Sequence, residues 1–228
     1  MSANLHLGVV LALFLGITHP PAGDPWVQSA GPKTEDARAS TALDPDTLPT
    51  RWVLQAERSE ARYRVREQLA GFDFPNDAVG TTSSVSGSIA FSADGVILPG
   101  ESVFRVDLAD LATDSDRRDN YVRQRTLEVE DYPEAVLTLR RFTGLPFPLP
   151  DSGAVRFQLE ADLTLHGVTA PTVWEVMAQI TPQSVTGLAS TSFTFDTFGL
   201  AVPRVARVLS VDDNIRLELE FRLVPGAD

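Results

Sequence analysis

The stretch VRFQLEADLTLHGVTAPTVWEVMAQI, residues 155–180, decides the fold, because apolar side chains recur at every second position on both sides of one interruption. A period of two is typical of a β-strand with one buried and one solvated face. The interruption contains His166, Gly167 and Pro171, which suit a tight connection between strands. The alternating apolar residues are Phe157, Leu159, Ala161 and Leu163, then Trp174, Val176, Ala178 and Ile180.

The same alternation recurs along the chain from about Trp52 onward, bounded by glycine, proline and polar residues. It predicts about eight strands, at the short spacing expected of an antiparallel sandwich or barrel. The further segments are residues 61–67, 85–91, 104–108, 135–142, 189–195 and 215–223.

Two segments break the alternation. Residues 113–127 open with Thr113 and Ser115 as candidate N-caps and place acidic residues early, which predicts one short helix. Residues 142–153 contain three prolines and two glycines, which predicts a loop.

The N-terminal part differs in composition from the rest. Residues 5–17 are apolar over the length of a signal-peptide core and are too short for a comfortable membrane span. We therefore expect residues 1–22 to be a signal peptide, with an uncleaved N-terminal anchor as the alternative, and the protein to be exported to the periplasm or the extracellular space. Residues 23–50 are rich in Pro, Ala and Thr and predict a disordered tether, so the folded domain should span residues 51–225.

Composition excludes several classes of function. A net charge of −12 repels nucleic-acid phosphates and anionic membrane faces, so no nucleic-acid partner is expected. The absence of cysteine excludes disulfides, thiol catalysis and cysteine-based zinc sites. Nothing in the composition fixes the oligomeric state.

Few residues suggest catalysis. His166, the one histidine after the N-terminal segment, lacks a nucleophile and an orienting partner in the sequence, so a hydrogen bond near a turn is the simpler interpretation. The acidic run of Glu128, Glu130, Asp131 and Glu134 is typical of a solvated face. We therefore predict no enzyme activity, no catalytic residue and no metal site. The interior of a closed barrel would be either filled by side chains or open to one slender ligand.

Several motifs, taken in order, resemble the YceI-like family of exported, lipocalin-like barrels associated with polyisoprenoid binding. The resemblance covers about residues 52–224, and its most specific part is LTLHGVTAPTVWEV, residues 163–176. Where many members of the family carry a histidine, this chain has Arg66, Glu67 and Gln68. The other matching pieces are WVLQAERSEARYRV (52–65, with Ser59), VSGSIAF (85–91), Thr113 with Arg118, Asp119 and Tyr121, LEVEDYPEAVLTL (127–139) and FTFDTFGL (193–200).

The resemblance implies an all-β, lipocalin-like barrel of about eight strands that holds an isoprenoid or quinone-like lipid, with no other cofactor. A structural β-barrel without a ligand and, third, a lipid-modifying enzyme are the competing hypotheses. The residues expected to line the lipid site follow from the apolar phase of each strand: Tyr63, Val65, Phe91, Phe104, Leu137, Leu159, Leu163, Trp174, Phe195 and Leu219.

Overall fold

The structure is a computed structural model that describes residues 51–226. The expected signal peptide and tether, residues 1–50, lie outside the described residues. Between residues 51 and 226 there is no helix with the length and apolar character needed to cross a membrane.

Ten strands form one sheet in which neighbouring strands are antiparallel. Strand β1 pairs with both β4 and β10, so the sheet closes on itself. Strands β1 and β2 are two parts of one interrupted strand alongside β10, and β3 and β4 are two parts of the next, which gives a closed eight-stranded barrel. The predicted fold class is confirmed. The strands are β1 (Arg51–Leu54), β2 (Glu60–Leu69), β3 (Asn76–Thr82), β4 (Val85–Ala90), β5 (Val103–Asp107), β6 (Glu134–Thr143), β7 (Gly153–Leu165), β8 (Val168–Thr181), β9 (Ser184–Phe193) and β10 (Val208–Pro225).

The break between β1 and β2 is a short 3₁₀ turn, Ala56–Arg58, stabilised by the buried hydroxyl of Ser59. This hydroxyl donates to the carbonyl oxygen of Gln55 at 2.8 Å and accepts from the backbone N–H of Arg222 on β10 at 3.1 Å. A break in a strand leaves backbone groups without their ladder partners. Ser59 therefore supplies hydrogen bonds that the interrupted ladder does not make.

The predicted helix is present and lies between β5 and β6. Helix α1 (Asp116–Tyr121) continues into a π-helical turn, Val122–Thr126. Ser115 occupies the N-cap position but its side chain makes no capping bond. The start of α1 is instead fixed by Asp119, whose carboxylate accepts from the backbone N–H of Thr113 at 2.9 Å and from its hydroxyl at 2.6 Å.

The strands follow the predicted alternation, and the predicted loop between β6 and β7 is present at residues 144–152. Three points differ from the sequence prediction. Strand β1 was not among the predicted segments, because four residues are too few to show an alternation. Strand β3 was not predicted, because its inward residues Ala78, Gly80 and Thr82 are too small to give an apolar signal. Phe195 was placed on a strand, but β9 ends at Phe193 and Phe195 begins a 3₁₀ turn, Phe195–Phe198, where the Asp213 carboxylate accepts from its backbone N–H at 2.9 Å.

The two ends of the barrel carry different connections. At one end, which we call the α1 end, lie the β2–β3 connection, α1, the β7–β8 turn and residues 194–207. The opposite end carries the β4–β5 and β6–β7 connections. The pairing directions of the strands fix this division, which determines where the interior opens.

Candidate ligand-binding cavity

The barrel encloses a cavity of about 960 Å³ that extends to the α1 end. Its walls come from β2, β3, β5, β6, β7, β8 and β10, and its mouth from α1, the π-helical turn and residues 203–208. Pockets for small molecules span ~300–1,000 Å³, so this cavity is at the upper end of that range. The interior of this barrel is therefore open and is not filled by its own side chains.

The deep part of the cavity is apolar. Leu137, Leu163 and Trp174 are buried side chains in its wall. The indole N–H of Trp174 donates to the Thr172 hydroxyl at 2.9 Å, and that hydroxyl donates to the carbonyl oxygen of Ala161 at 3.1 Å. Because the polar atom of the indole is already bonded, Trp174 offers only carbon atoms to a ligand.

A second, smaller cavity of about 80 Å³ lies toward the opposite end. Phe91, Phe142 and Leu159 are in its wall. The two cavities share four wall residues, which lie between them: Phe104, Leu137, Trp174 and Leu219. These four side chains therefore contact both spaces.

An ion pair connects the mouth of the cavity to α1. Glu67 points inward from β2, is buried, and accepts from the guanidinium of Arg118 on α1 at 2.9 Å. Arg118 also pairs with Asp114. Burial lowers the pKa of Arg118, but Glu67 and Asp114 outweigh burial and raise it, so this residue stays charged. The pair attaches α1 to the barrel wall.

Two hydroxyl groups at the cavity wall have no hydrogen-bond partner in the structure. They are the hydroxyl of Tyr63 and the Oγ1 atom of Thr126, which is buried in the π-helical turn. Burial raises the pKa of Tyr63 to about 12, and Asp119 and Glu67 add to the increase while Arg118 opposes it. Buried polar groups without a partner cost free energy and call for an explanation. Both atoms could accept or donate a hydrogen bond to a polar group on a ligand.

A charged cluster covers the outer face of β2 and β10. Glu218 is buried there beneath the guanidinium groups of Arg64 and Arg216, at 3.1 Å and 2.8 Å, with Arg62 at 3.9 Å. Burial raises the pKa of Glu218, but the hydrogen bonds from Arg64 and Arg216 outweigh burial and lower it. These pairs stabilise the wall of the cavity from outside.

The structure brings most of the predicted lining residues together. Tyr63, Val65, Phe104, Leu137, Leu163, Trp174, Phe195 and Leu219 line the main cavity, whereas Phe91 and Leu159 line only the smaller one. Their contact with a ligand stays a prediction. Sequence reasoning did not include Glu67 and Thr126. Glu67 shares the inward phase of Tyr63 and Val65, so the period of two contained the signal for it.

His166 lines neither cavity. It lies in the β7–β8 turn at φ 50°, followed by Gly167 at φ 73°, a pair of left-handed residues that suits a two-residue hairpin. Its Nε2 is 3.2 Å from a carboxylate oxygen of Glu128, and its Nδ1 is 3.4 Å from the carbonyl oxygen of Phe198. Within residues 51–226, no cluster of three or more His, Asp or Glu side chains could hold a metal ion.

Several solved structures share this fold. A polyisoprenoid-binding domain from Saccharophagus degradans, implicated in plant cell wall breakdown, matches with a TM-score of 0.60 and 15% identity over 77% of this chain and 98% of that one. BcnA from Burkholderia cenocepacia matches with a TM-score of 0.54 and 13% identity over 76% and 99%. The YceI protein of Campylobacter jejuni matches with a TM-score of 0.53 and 15% identity over 70% and 91%. No curated protein sequence matches this chain significantly.

The sequence itself matches one protein family over most of its length. The YceI-like domain matches residues 52–223, which run from β1 to near the end of β10. This range includes at least part of every strand and all the residues that line the two cavities, and the motifs of the sequence predicted the same family. The chain therefore belongs to the YceI-like family.

Proposed function

We propose that this protein is a lipid carrier without enzymatic activity, which binds a long isoprenoid or quinone-like chain in the main cavity. The single observation that carries the proposal is the cavity of about 960 Å³ with an apolar wall. A structural barrel without a ligand would have this space filled by side chains, since protein interiors are close-packed.

The free energy of binding is expected to come from the tail of the ligand. Removing a methylene group from water contributes ~0.8 kcal/mol, whereas association costs ~4–15 kcal/mol. Several isoprene units would therefore offset the cost of association. Affinity should rise with tail length until the cavity is full.

The relatives support the same class of ligand. One protein of the same fold is a polyisoprenoid-binding domain, although its identity to this chain is only 15%. Catalysis on the lipid is the weaker hypothesis, because His166 and Glu128 are paired with each other and do not line the cavity. We propose further that the carrier acts after export, on the basis of the apolar residues 5–17.

The proposal is tested by titrating the full chain with all-trans prenols of increasing length and following tryptophan fluorescence. Trp174 lines both cavities, so a bound tail should change its emission. We expect saturable binding, with a dissociation constant that falls about fourfold for each methylene that is buried, until the cavity is full. Binding that is absent or independent of tail length would contradict the carrier function.

Two variants separate the binding of prenol from catalysis on it. His166→Ala removes the remaining candidate for general-base chemistry, and we expect it to leave prenol affinity unchanged because His166 does not line the cavity. Trp174→Phe should remove most of the change in fluorescence that prenol causes, while Trp26 and Trp52 still emit and prenol is still taken up. Conversion of the prenol into a product by the wild type, lost in His166→Ala, would favour the enzyme hypothesis instead.

A further inference from the structure

A group of large apolar side chains is exposed at the mouth of the cavity. Phe72, Phe74 and Leu209 are 65%, 81% and 68% exposed, and Val202 and Val205 are also exposed. We call these five residues the apolar rim. Phe72 and Phe74 come from the β2–β3 connection, Val202 and Val205 from the segment before β10, and Leu209 from the start of β10, all at the α1 end. A cluster of exposed apolar residues of this kind marks a site of interaction with another protein, a membrane or a ligand.

The pairing of β2 with β10 and one further backbone hydrogen bond hold the two halves of the apolar rim together. The backbone N–H of Ala70 donates to the carbonyl oxygen of Arg207 at 2.9 Å, next to the paired residues Leu69 and Val208. The side-chain amide of Gln68 donates to the carbonyl oxygen of Phe72 at 2.6 Å. The exposed side chains are therefore attached to a hydrogen-bonded extension of β2 and β10.

The apolar rim is continuous with the cavity. Phe72 and Val205 line the cavity as well as being exposed, and Pro203 lies beside Val205 in the same wall. A lipid leaving the cavity at this end would pass along apolar side chains. Phe74 and Leu209 do not line the cavity and extend the same apolar surface outward.

Arginines without acidic partners surround this mouth. Arg117, Arg125 and Arg207 line the cavity, and Arg204 adjoins Val205. None of the four forms an ion pair with a residue in the range 51–226. The acidic residues nearest to them in the chain are Asp116 and Asp119, on either side of Arg117, then Glu128 after Arg125, and Asp212 and Asp213 after Arg207. Three of these have other partners: Asp119 accepts from Thr113, Glu128 lies against His166, and Asp213 accepts from Phe195. Asp73 lies between Phe72 and Phe74 in the apolar rim itself.

We propose that the apolar rim docks on a lipid bilayer that contains anionic headgroups, with Phe72, Phe74 and Leu209 entering the headgroup region. The net charge of −12 disfavours this contact for the chain as a whole. Salt screens charge interactions beyond about 8 Å at physiological ionic strength, so acidic residues far from the mouth contribute little to the repulsion. The four arginines at the mouth can therefore attract anionic headgroups locally. Docking would place the cavity mouth against the membrane, so that an isoprenoid tail moves between bilayer and cavity without crossing water. This inference rests on the proposed function.

The docking is tested by co-flotation of the full chain with vesicles of phosphatidylcholine, with and without about one third phosphatidylglycerol. The test variant is Phe72→Ser/Phe74→Ser/Leu209→Ser. The control is Val173→Ser/Met177→Ser, which removes two exposed apolar side chains from β8, away from the mouth. We expect the bound fraction of the rim variant to fall about tenfold or more, while the control binds like the wild type. Arg204→Gln/Arg207→Gln should reduce binding to the anionic vesicles only.

Equal binding by the rim variant and the wild type would overturn the docking, and would assign any membrane contact to residues 5–17, which both chains retain. Circular dichroism is used to check that each variant is folded. Prenol uptake from detergent solution is measured in parallel. A wild type that takes up prenol but does not bind vesicles contradicts the docking alone. A wild type that binds vesicles through its rim but takes up no prenol supports the docking and contradicts the carrier function.

Discussion

Tyr63 is the most informative single residue of the cavity, because its hydroxyl is buried without a hydrogen-bond partner. An unpartnered buried hydroxyl destabilises the fold, so its removal costs little or stabilises the protein. We predict that Tyr63→Phe leaves the free energy of unfolding at pH 7 unchanged or raises it by roughly 1 kcal/mol. Chemical denaturation measures this value. A loss of several kcal/mol would indicate a hidden partner for the hydroxyl.

The same residue predicts a dependence of stability on alkaline pH. The pKa of Tyr63 rises from 10.0 in the unfolded chain to about 12 in the fold, so the folded state retains the proton longer. The contribution of protonated Tyr63 to the stability of the fold is fully present below pH 10 and is lost as the pH rises through about 12. Between these two pH values we expect the free energy of unfolding of the wild type to fall by roughly 2–3 kcal/mol. The free energy of unfolding of Tyr63→Phe should not show this fall. Parallel denaturation curves for the two proteins would contradict the assignment.

At the scale of elements, α1 is held to the barrel by one ion pair. Arg118 joins α1 to the buried Glu67 on β2, whereas the neighbouring Arg117 has no acidic partner within residues 51–226. Arg118→Gln leaves the Glu67 carboxylate buried without its cation. We predict a loss of roughly 3 kcal/mol in unfolding free energy, and faster proteolysis within residues 113–127. Arg117→Gln is the matched control and should change stability by less than ~0.5 kcal/mol. Equal effects of the two substitutions would exclude this role for Arg118.

The interrupted strand β1–β2 depends on Ser59 in a comparable way. Its hydroxyl bonds both Gln55 and Arg222, so Ser59→Ala leaves two backbone groups without that partner. We predict that Ser59→Ala lowers the free energy of unfolding, measured by urea denaturation, by roughly 2 kcal/mol. Ser86→Ala on β4 is the control, because Ser86 is exposed. If both serines prove equally dispensable, the Ser59 hydroxyl has no stabilising role at the strand break.

Sequence patterns predicted the elements whose two faces differ in chemistry. Strands such as β7 and β10 alternate charged and apolar residues, so the period of two was visible. Strand β3 gave no such signal, because close packing selects small residues on it: a Cβ atom at Gly80 would lie 2.3 Å from Cε1 of Tyr63. Phe195 was correctly expected in the interior, but the turn that contains it depends on the contact with Asp213, which no local pattern predicts.

At the scale of the molecule, the sequence predicted the barrel but left its interior undetermined. Whether inward side chains fill a barrel depends on the difference between their summed volume and the enclosed space. It leaves a cavity of about 960 Å³ here, and the residues that line it are distributed over seven strands. Likewise, the arginines at the mouth come from α1, from the π-helical turn and from residues 204–207, so their proximity to the apolar rim became visible only in the folded chain.

The central claim is that the open cavity holds an isoprenoid chain, and native mass spectrometry of the full chain tests it most directly. Leu217→Trp places a large side chain in the cavity wall, whereas Val173→Trp places the same side chain on the exposed face of β8. After incubation with a long prenol, we predict one prenol per chain for the wild type and for Val173→Trp, and a strongly reduced occupancy for Leu217→Trp. A wild-type mass without prenol, or the same occupancy in all three proteins, would contradict the claim.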